Sequence, residues 1–146
     1  MVQGGLIVGA LAVLLYDALL AIELDGRALA ADEYSYDGRV LRIPGVIGPC
    51  RLRTVVRIHP AANTRLEGLY RSGQLLLTQC EAQGFRRITW FPDRPGVMAT
   101  FTVTLHADKS VLPVLLANGN PVASGDEADG RHWARWQDPF KKPCYL

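Results

Sequence analysis

The side chains with the clearest chemical potential lie together at Gln79, Cys80 and Glu81. An amide and a carboxylate two residues apart point to the same side of an extended strand, where both can accept hydrogen bonds from an ammonium group. A solvated surface position is the alternative for Glu81, since a glutamate at the end of a hairpin is usually exposed. No histidine lies near Cys80 in the sequence, so we expect a buried structural thiol there rather than a nucleophile.

Most signatures of catalysis and metal binding are absent from the sequence. It contains no Gly-x-Ser-x-Gly, no phosphate-binding loop, no dinucleotide fingerprint and no His-Glu-x-x-His. The histidines are isolated and the cysteines form no Cys-x-x-Cys pair, so we expect no catalytic residue and no metal site in this chain. The 3 cysteines are widely spaced and odd in number, which fits reduced thiols better than a disulfide framework.

Two other clusters have simpler structural explanations. Arg51, Arg53 and Arg57 form a row that could meet phosphates, but no aromatic residues are interleaved and the formal net charge is only +2. We therefore expect a solvated sheet face and no nucleic-acid partner. A second cluster consists of three aromatic residues: Trp133, Trp136 and Phe140. Aromatic residues at this spacing are more often core than a ligand-stacking platform.

Short strands must position these side chains. In residues 99–107, apolar side chains alternate with threonine and histidine, which is the period of two of a half-buried strand. Asp25-Gly26 and Asp37-Gly38 each separate two strand-like runs, as a type I′ hairpin turn requires. Residues 66–70 and 74–78 are predicted to form a third hairpin, and its second strand leads directly into Gln79.

The remaining pattern completes an all-β prediction. The further elements are, in chain order, a strand with one solvated face over residues 51–59, a short helical turn over 85–88, a short buried strand over 113–117, an acidic loop over 125–130 and a strand over 131–137 that Asp138-Pro139 ends. With 146 residues and 49% hydrophobic content, the chain has the size and composition of one globular domain. We predict an antiparallel β-sandwich, with a barrel as the alternative.

The first 22 residues differ from the rest of the chain. They carry one charge, Asp17, and no lysine or arginine, so they lack the positive region of a secretory signal and the basic flanks of a transmembrane helix. Over residues 1–22 we expect an atypical apolar leader or one or two strands, with membrane anchoring less favoured. The main β-sandwich domain is predicted over residues 23–146.

A series of sequence words follows in a fixed order along most of the chain. They are Asn63-Thr64-x-Leu66-Glu67-Gly68-Leu69-Tyr70, Thr78-Gln79-Cys80-Glu81-Ala82-x-Gly84-Phe85, Asp93-Arg94-Pro95, Pro113-Val114-Leu115-Leu116-x-Asn118-Gly119-Asn120 and Trp136-x-Asp138-Pro139-Phe140. In these words the chain resembles the N-terminal domain of the zinc aminopeptidases of the aminopeptidase N family, and the soluble bacterial alanyl aminopeptidase branch in particular.

This resemblance implies a fold and two residue roles. The family's first domain is a saddle-shaped β-sandwich that packs on a thermolysin-like catalytic domain. In the family, the glutamate of the Thr-Gln-Cys-Glu word helps to hold the free α-amino group of the substrate, and the glutamine lines the adjoining specificity pocket. Matching word to word places these substrate-binding roles on Glu81 and Gln79. Arg86, Asp93 and Arg94 are expected to brace the turn.

The sequence lacks the segments that carry out the reaction in the family. It has neither the family's Gly-x-Met-Glu-Asn segment nor its His-Glu-x-x-His. The resemblance therefore implies a fragment, incomplete at both ends and inactive alone, with no cofactor of its own and with the zinc in a catalytic domain of the same polypeptide. The implied partners are that catalytic domain and the N-terminus of a peptide substrate, with self-association through an exposed apolar face; the implied location is cytoplasmic. The alternative is a stand-alone β-sandwich that binds a protein partner.

Overall fold

Short strands joined by tight turns make up most of the described chain. The structure, a computed structural model, describes residues 5–9, 16–38 and 40–146. In these ranges the strands are β1 (Gly5–Gly9), β2 (Tyr16–Leu24), β3 (Arg27–Ala28), β4 (Ser35–Tyr36), β5 (Val40–Pro44), β6 (Leu52–Ile58), β7 (Gly68–Ser72), β8 (Leu75–Gln79), β9 (Ala99–Asp108), β10 (Asn120–Asp126) and β11 (Arg131–Lys142). Two short 3₁₀ helices, Pro60–Ala62 and Phe85–Arg87, are the helical elements of the described residues.

All the strand pairs are antiparallel, and they divide between two compact units. The larger unit contains residues 1–95 and 144–146, with sheets in the orders β1-β5-β4, β3-β2-β6 and β7-β8. The smaller unit contains residues 96–143, with one sheet in the order β10-β11-β9. None of the helices in the described ranges combines the length and the apolar character needed to cross a membrane.

The core of the larger unit joins two of its sheets. Ile22 of β2 packs against Leu41 and Ile43 of β5, and Trp90 completes the cluster; all four side chains are buried. Because the buried side chains come from two three-stranded sheets, these sheets pack face to face as a sandwich. The predicted all-β, antiparallel sandwich fold is confirmed.

The hairpins of the larger unit follow the sequence prediction. Asp25 lies in the turn between β2 and β3, Asp37 in the turn between β4 and β5, and Gly73 in the turn between β7 and β8. On β6, Arg53 and Arg57 are exposed, and Arg53 pairs with Glu23 of β2, as a solvated sheet face requires. The helical turn expected over 85–88 is the 3₁₀ helix Phe85–Arg87.

The predicted division at residue 22 falls inside a strand. Within residues 1–22 the structure describes β1 and most of β2, and β2 continues without a break to Leu24. Residues 1–4 and 10–15, on which the leader prediction also rests, lie outside the described residues. The division of the chain into 1–22 and 23–146 stays a prediction.

In the smaller unit, the buried strand predicted over residues 113–117 is wrong. This segment lies outside the strands, and Val114 and Leu116 are 69% and 70% exposed. The carbonyl groups of Leu115 and of Leu112, which directly precedes the segment, accept side-chain hydrogen bonds. His132 Nε2 donates to the carbonyl of Leu112 at 2.7 Å, and Trp136 Nε1 donates to that of Leu115 at 3.2 Å. Because two β11 side chains bind its backbone, the segment lies along the sheet without joining it.

The same unit contains one strand that was not predicted and one strand that is longer than predicted. The sequence analysis did not predict β10, which pairs with β11 through a register shift between Pro121 and Ala123 and takes the first residues of the expected acidic loop. Asp138-Pro139 does not end β11, since a second irregularity between Asp138 and Lys142 carries the strand past the proline. Asp138 is buried and pairs with Lys142 across this bulge.

The three aromatic residues of this unit are only partly core. Trp133 and Trp136 are half-buried, and Trp133 lies close over Gly125 of β10. Phe140 is 74% exposed, so the expectation of a core position is wrong for it. The bulge between Asp138 and Lys142 turns this part of β11 out of the regular alternation.

Candidate functional site

A hairpin positions the residues that the sequence singled out. Strands β7 and β8 pair along their whole length, with Gly68 at the start of β7 opposite Gln79 at the end of β8. The chain therefore enters and leaves this two-stranded sheet at the same end. Residues 80–84 form a turn directly after Gln79, closed by the N–H of Gly84, which donates to the carbonyl of Cys80 at 2.8 Å.

Gln79 and Glu81 lie together, but not for the reason the sequence analysis gave. Glu81 follows the end of β8 and belongs to the turn, so the two residues do not share a strand face. Gln79 Nε2 instead donates to the backbone carbonyl of Glu81 at 3.2 Å. Both residues are exposed. The bond places the residue that carries a carboxylate next to the residue that carries an amide at one end of the sheet, and both groups contain acceptors for an ammonium group.

The buried carboxylate of Asp93 stabilises the chain that directly follows the turn of residues 80–84. Asp93 is 4% exposed and accepts hydrogen bonds from Arg86 N and Nε, both at 3.0 Å, while Arg86 Nη2 donates to the Asp93 carbonyl at 2.7 Å. This ties the 3₁₀ helix Phe85–Arg87 to the chain that follows it. The predicted bracing role is confirmed for Arg86 and Asp93. Arg94 is exposed, and its backbone N–H donates to the carbonyl of Pro92.

The thiols of Cys144 and Cys80 both lie near the carboxylate of Asp93. The Sγ of Cys144, which is buried, donates to Asp93 Oδ1 at 3.1 Å. Burial, followed by the hydrogen bond to Asp93, raises the pKa of Cys144 to about 12. Burial and then the charge of Asp93 raise the pKa of the half-buried Cys80 to about 11. Both side chains therefore stay thiols at neutral pH, as expected of structural cysteines rather than nucleophiles.

Asn63 is a structural residue of the site that the sequence analysis missed. Asn63 is buried, and its Nδ2 donates to the carbonyls of Glu67 at 2.8 Å and Leu69 at 2.9 Å. Its Oδ1 accepts the N–H of Arg65 at 3.1 Å. These bonds hold the loop that leads into β7, opposite Gln79. The only signal in the sequence was the position of Asn63 in one of the family words, which gives no role.

The described residues do not fit a zinc ion. Across residues 19–38 and 40–146, His, Cys, Asp and Glu side chains form no group of three or more that could hold a metal. Asp93, which lies beside both thiols, is already engaged by Arg86 and Cys144.

Known proteins match this fold and its sequence words. The profile of the Peptidase M1 N-terminal domain matches residues 31–146. Aminopeptidase N of Caulobacter vibrioides is 52% identical over 128 residues, which cover 88% of this chain and 15% of that protein. Aminopeptidase N of Escherichia coli K12 is 61% identical over 95 residues, covering 65% and 11%.

Solved structures give the same result. Aminopeptidase A of Legionella pneumophila, in complex with aspartic acid, superimposes with a TM-score of 0.85 and 28% identity over 97% of this chain and 16% of that one. An M1 zinc metallopeptidase of Deinococcus radiodurans, 18% identical, shares the fold with a TM-score of 0.70 over 98% of this chain and 33% of that one. The chain thus spans only a small part of the length of these relatives. The family match and the described geometry agree with the resemblance seen in the sequence, and the chain belongs to the Peptidase M1 N-terminal domain family.

Proposed function

We propose that this domain supplies one wall of the substrate-amine site of a zinc aminopeptidase. Glu81 accepts hydrogen bonds from the α-ammonium group of the first residue of a peptide, and Gln79 lines the adjoining pocket for that residue's side chain. The observation that carries the proposal is the bond from Gln79 Nε2 to the carbonyl of Glu81, which joins the Gln79 side chain to the backbone of Glu81 at the exposed end of β8. The M1 family of the domain supports the reaction class.

The chemistry of an exopeptidase explains why a carboxylate is needed. The enzyme must distinguish a terminal ammonium group from an internal amide, and a charge-assisted hydrogen bond to a carboxylate makes that distinction. In water such a bond is weak, because solvent competes for both partners. Glu81 is exposed in this domain, so the proposal requires a second wall that excludes water from it.

A catalytic domain of the M1 type is the proposed second wall, and the zinc ion belongs to it. On β8 the alternation of side chains places Leu75 and Leu77 on the same face as Gln79. They are 61% and 39% exposed, and Tyr70 lies opposite Leu77 on that face. An apolar surface that continues directly from the polar site is suited to pack against another domain and leave Gln79 and Glu81 at its rim.

The proposal can be tested in a chimeric enzyme. The matched 128 residues of the Caulobacter vibrioides aminopeptidase N would be replaced by those of this chain, since the two are 52% identical. We expect turnover of aminoacyl chromogenic substrates. Glu81→Gln should then lower kcat/KM by about 10- to 100-fold, the usual effect of losing a hydrogen bond between charged groups. Gln79→Ala should change the ranking of substrates with different first side chains.

Two control variants are available in the same domain. Asp32→Asn removes an exposed carboxylate from a turn far along the chain, and Gln74→Ala truncates an exposed glutamine at the other end of the β7–β8 hairpin. Both should leave kcat/KM within about two-fold of the unchanged chimera. If Glu81→Gln behaves like Asp32→Asn, the proposed function is wrong. A cytoplasmic location is part of the proposal, and the free state of Cys50, Cys80 and Cys144 supports it.

A further inference from the structure

Two glycines meet where the Glu81 turn touches the hairpin. A Cβ atom at Gly84 would lie 2.2 Å from the carbonyl oxygen of Gln79, 3.0 Å from Cα of Cys80 and 3.0 Å from the amide nitrogen of Gly68. A Cβ atom at Gly68 would lie 2.8 Å from Cβ of Arg87 and 3.2 Å from the carbonyl oxygen of Gly84. The turn is therefore in direct backbone contact with both strands of the hairpin, and only glycine leaves room for this contact.

An ion pair crosses the same junction. Arg87 Nε lies 2.5 Å from Glu67 Oε2, and the Arg87 side chain is 13% exposed. Glu67 directly precedes Gly68 at the start of β7, whereas Arg87 ends the 3₁₀ helix that follows the turn. Arg87 Nε and Nη1 are both buried and make no hydrogen bond among the described residues, so the charge of Glu67 offsets the burial of the guanidinium as an ion pair.

We propose that Gly84 is a positioning residue, and that its contact with Gly68 and Gln79, closed by the Glu67–Arg87 pair, sets the distance between Glu81 and Gln79. This inference rests on the proposed function, because it gives that distance a task in binding the substrate ammonium group. Neither Gly84 and Gly68 nor the pair Glu67 and Arg87 touches the substrate. They act by holding the turn of residues 80–84 against the end of β8.

The steric role of Gly84 can be tested by substitution, because its backbone conformation is one that any residue can adopt. Its φ of −83° and ψ of −22° lie in a region open to any residue, so alanine is excluded only by space. To bring the new Cβ atom from 2.2 Å to at least 3.0 Å from the Gln79 oxygen, the turn must move by about 0.8 Å. A displacement near 1 Å of a substrate-positioning group can cost up to about 100-fold in rate.

The experiment is a double-mutant cycle in the chimeric enzyme. The variants are Gly84→Ala, Glu81→Gln and the combination, with Gly96→Ala as the matched control because a Cβ atom there meets nothing within 4 Å. Gly84→Ala should raise KM for aminoacyl substrates by at least about 10-fold and affect kcat less, because it misplaces a binding group. In the Glu81→Gln background, the same substitution should change KM by less than about two-fold, since coupled groups give non-additive effects.

Each outcome decides a different point. An equal effect of Gly84→Ala with and without Glu81 would show a merely structural role and overturn the inference, as would an effect no larger than that of Gly96→Ala. If Glu81→Gln itself has no effect, the proposed function fails first and the inference with it.

A second variant covers the case in which Gly84→Ala unfolds the domain. Glu67→Gln keeps the shape of the side chain, removes only its charge and changes a residue whose side chain is 49% exposed. It should also raise KM only in the presence of Glu81, by about 3- to 10-fold. In the 146-residue chain, its amide chemical-shift changes should concentrate in residues 79–88. Shifts confined to the neighbours of Glu67, with KM unchanged, would contradict the inference.

Discussion

Asp93 shows how a single buried charge organises its surroundings. It has bonds to Arg86 on one side and to the thiol of Cys144 on the other, and Cys80 lies near enough for its charge to raise the thiol pKa. Arg86 compensates the buried carboxylate, while burial and the negative charge of Asp93 keep both thiols protonated. The sequence analysis expected Arg86 and Asp93 to brace the turn, but nothing in it indicated that Cys144 would lie beside a residue 51 positions away.

This cluster predicts a loss of stability at alkaline pH. The pKa of Cys144 rises from an ordinary value of 9.0 to about 12 in the folded state. Below pH 9 the thiol is protonated in both states and contributes no pH dependence. Above pH 9 the unfolded chain releases a proton that the folded chain keeps, so the free energy of unfolding falls, by at most about 1.4 kcal/mol per pH unit from this thiol.

Urea denaturation at pH 8, 9 and 10.5 measures the effect. Cys144→Ser keeps a donor for Asp93 and does not ionise in this range, so its free energy of unfolding should fall less steeply than that of the unchanged chain. Cys50→Ser, at an exposed position, is the matched control and should keep the steeper slope. Equal slopes for all three proteins would contradict the prediction.

At the scale of elements, local signals were sufficient where the turn itself dictates the structure. The Asp-Gly pairs and Ser72-Gly73 gave the hairpins because their backbone angles permit few alternatives. Elements whose formation depends on pairing with another strand could not be predicted from such local signals. Strand β10 is poor in strand-forming residues and is paired with β11. Residues 113–117 lie outside the sheet, and two β11 side chains bind the carbonyls of Leu112 and Leu115 there.

The loop that leads into β7 depends on one side chain. Asn63→Ala would leave the carbonyls of Glu67 and Leu69 without their side-chain donor and remove the acceptor for Arg65 N. We expect a loss of about 2 to 3 kcal/mol in the free energy of unfolding, measured by urea denaturation. Asn120→Ala, at an exposed position on β10, should cost less than about 0.5 kcal/mol. A cost for Asn63→Ala as small as that of the control would show that water replaces these bonds.

For the site residues, the sequence words indicated the positions but not the geometry. It placed Gln79 and Glu81 together through the sequence words, yet the strand-face argument was wrong because β8 ends at Gln79. The turn that brings Glu81 back to Gln79 is set by contacts between Gly68 and Gly84, which are 16 positions apart along the chain. Such contacts follow from tertiary packing, and no local pattern predicts them.

On the scale of the whole molecule, large apolar side chains remain exposed in both units. In the larger unit they include Leu66, Leu75, Leu76 and Leu77, and in the smaller unit Val111, Val114, Leu116, Val122 and Phe140. In the larger unit, Leu75 and Leu77 share one face of β8, and a contiguous exposed apolar area of this kind marks an interaction surface. Such surfaces are typical of domains that pack against others.

We therefore predict that the 146-residue chain self-associates when it is alone in solution. Sedimentation velocity should show a weight-average mass that rises with concentration. The double substitution Leu75→Ser and Leu77→Ser should weaken this association, because it removes apolar area from the face of β8 that carries Gln79. Thr78→Ser, on the opposite face of the same strand, is the control. A monomer at all concentrations, unaffected by the substitutions, would contradict the prediction.

The bond between Gln79 and the backbone of Glu81 has a consequence for how the substrate preference of such an enzyme can change. Under the proposed function, one side chain both shapes the pocket and steadies the residue that recognises the free end of the peptide. A replacement of Gln79 that widens the pocket also removes its hydrogen bond to Glu81. An enzyme that accepts larger first side chains in this way would also discriminate less well between the N-terminus and the interior of a peptide. Selection and protein engineering alike are then restricted at position 79 to side chains that can still donate a hydrogen bond, and new preferences must arise at other positions.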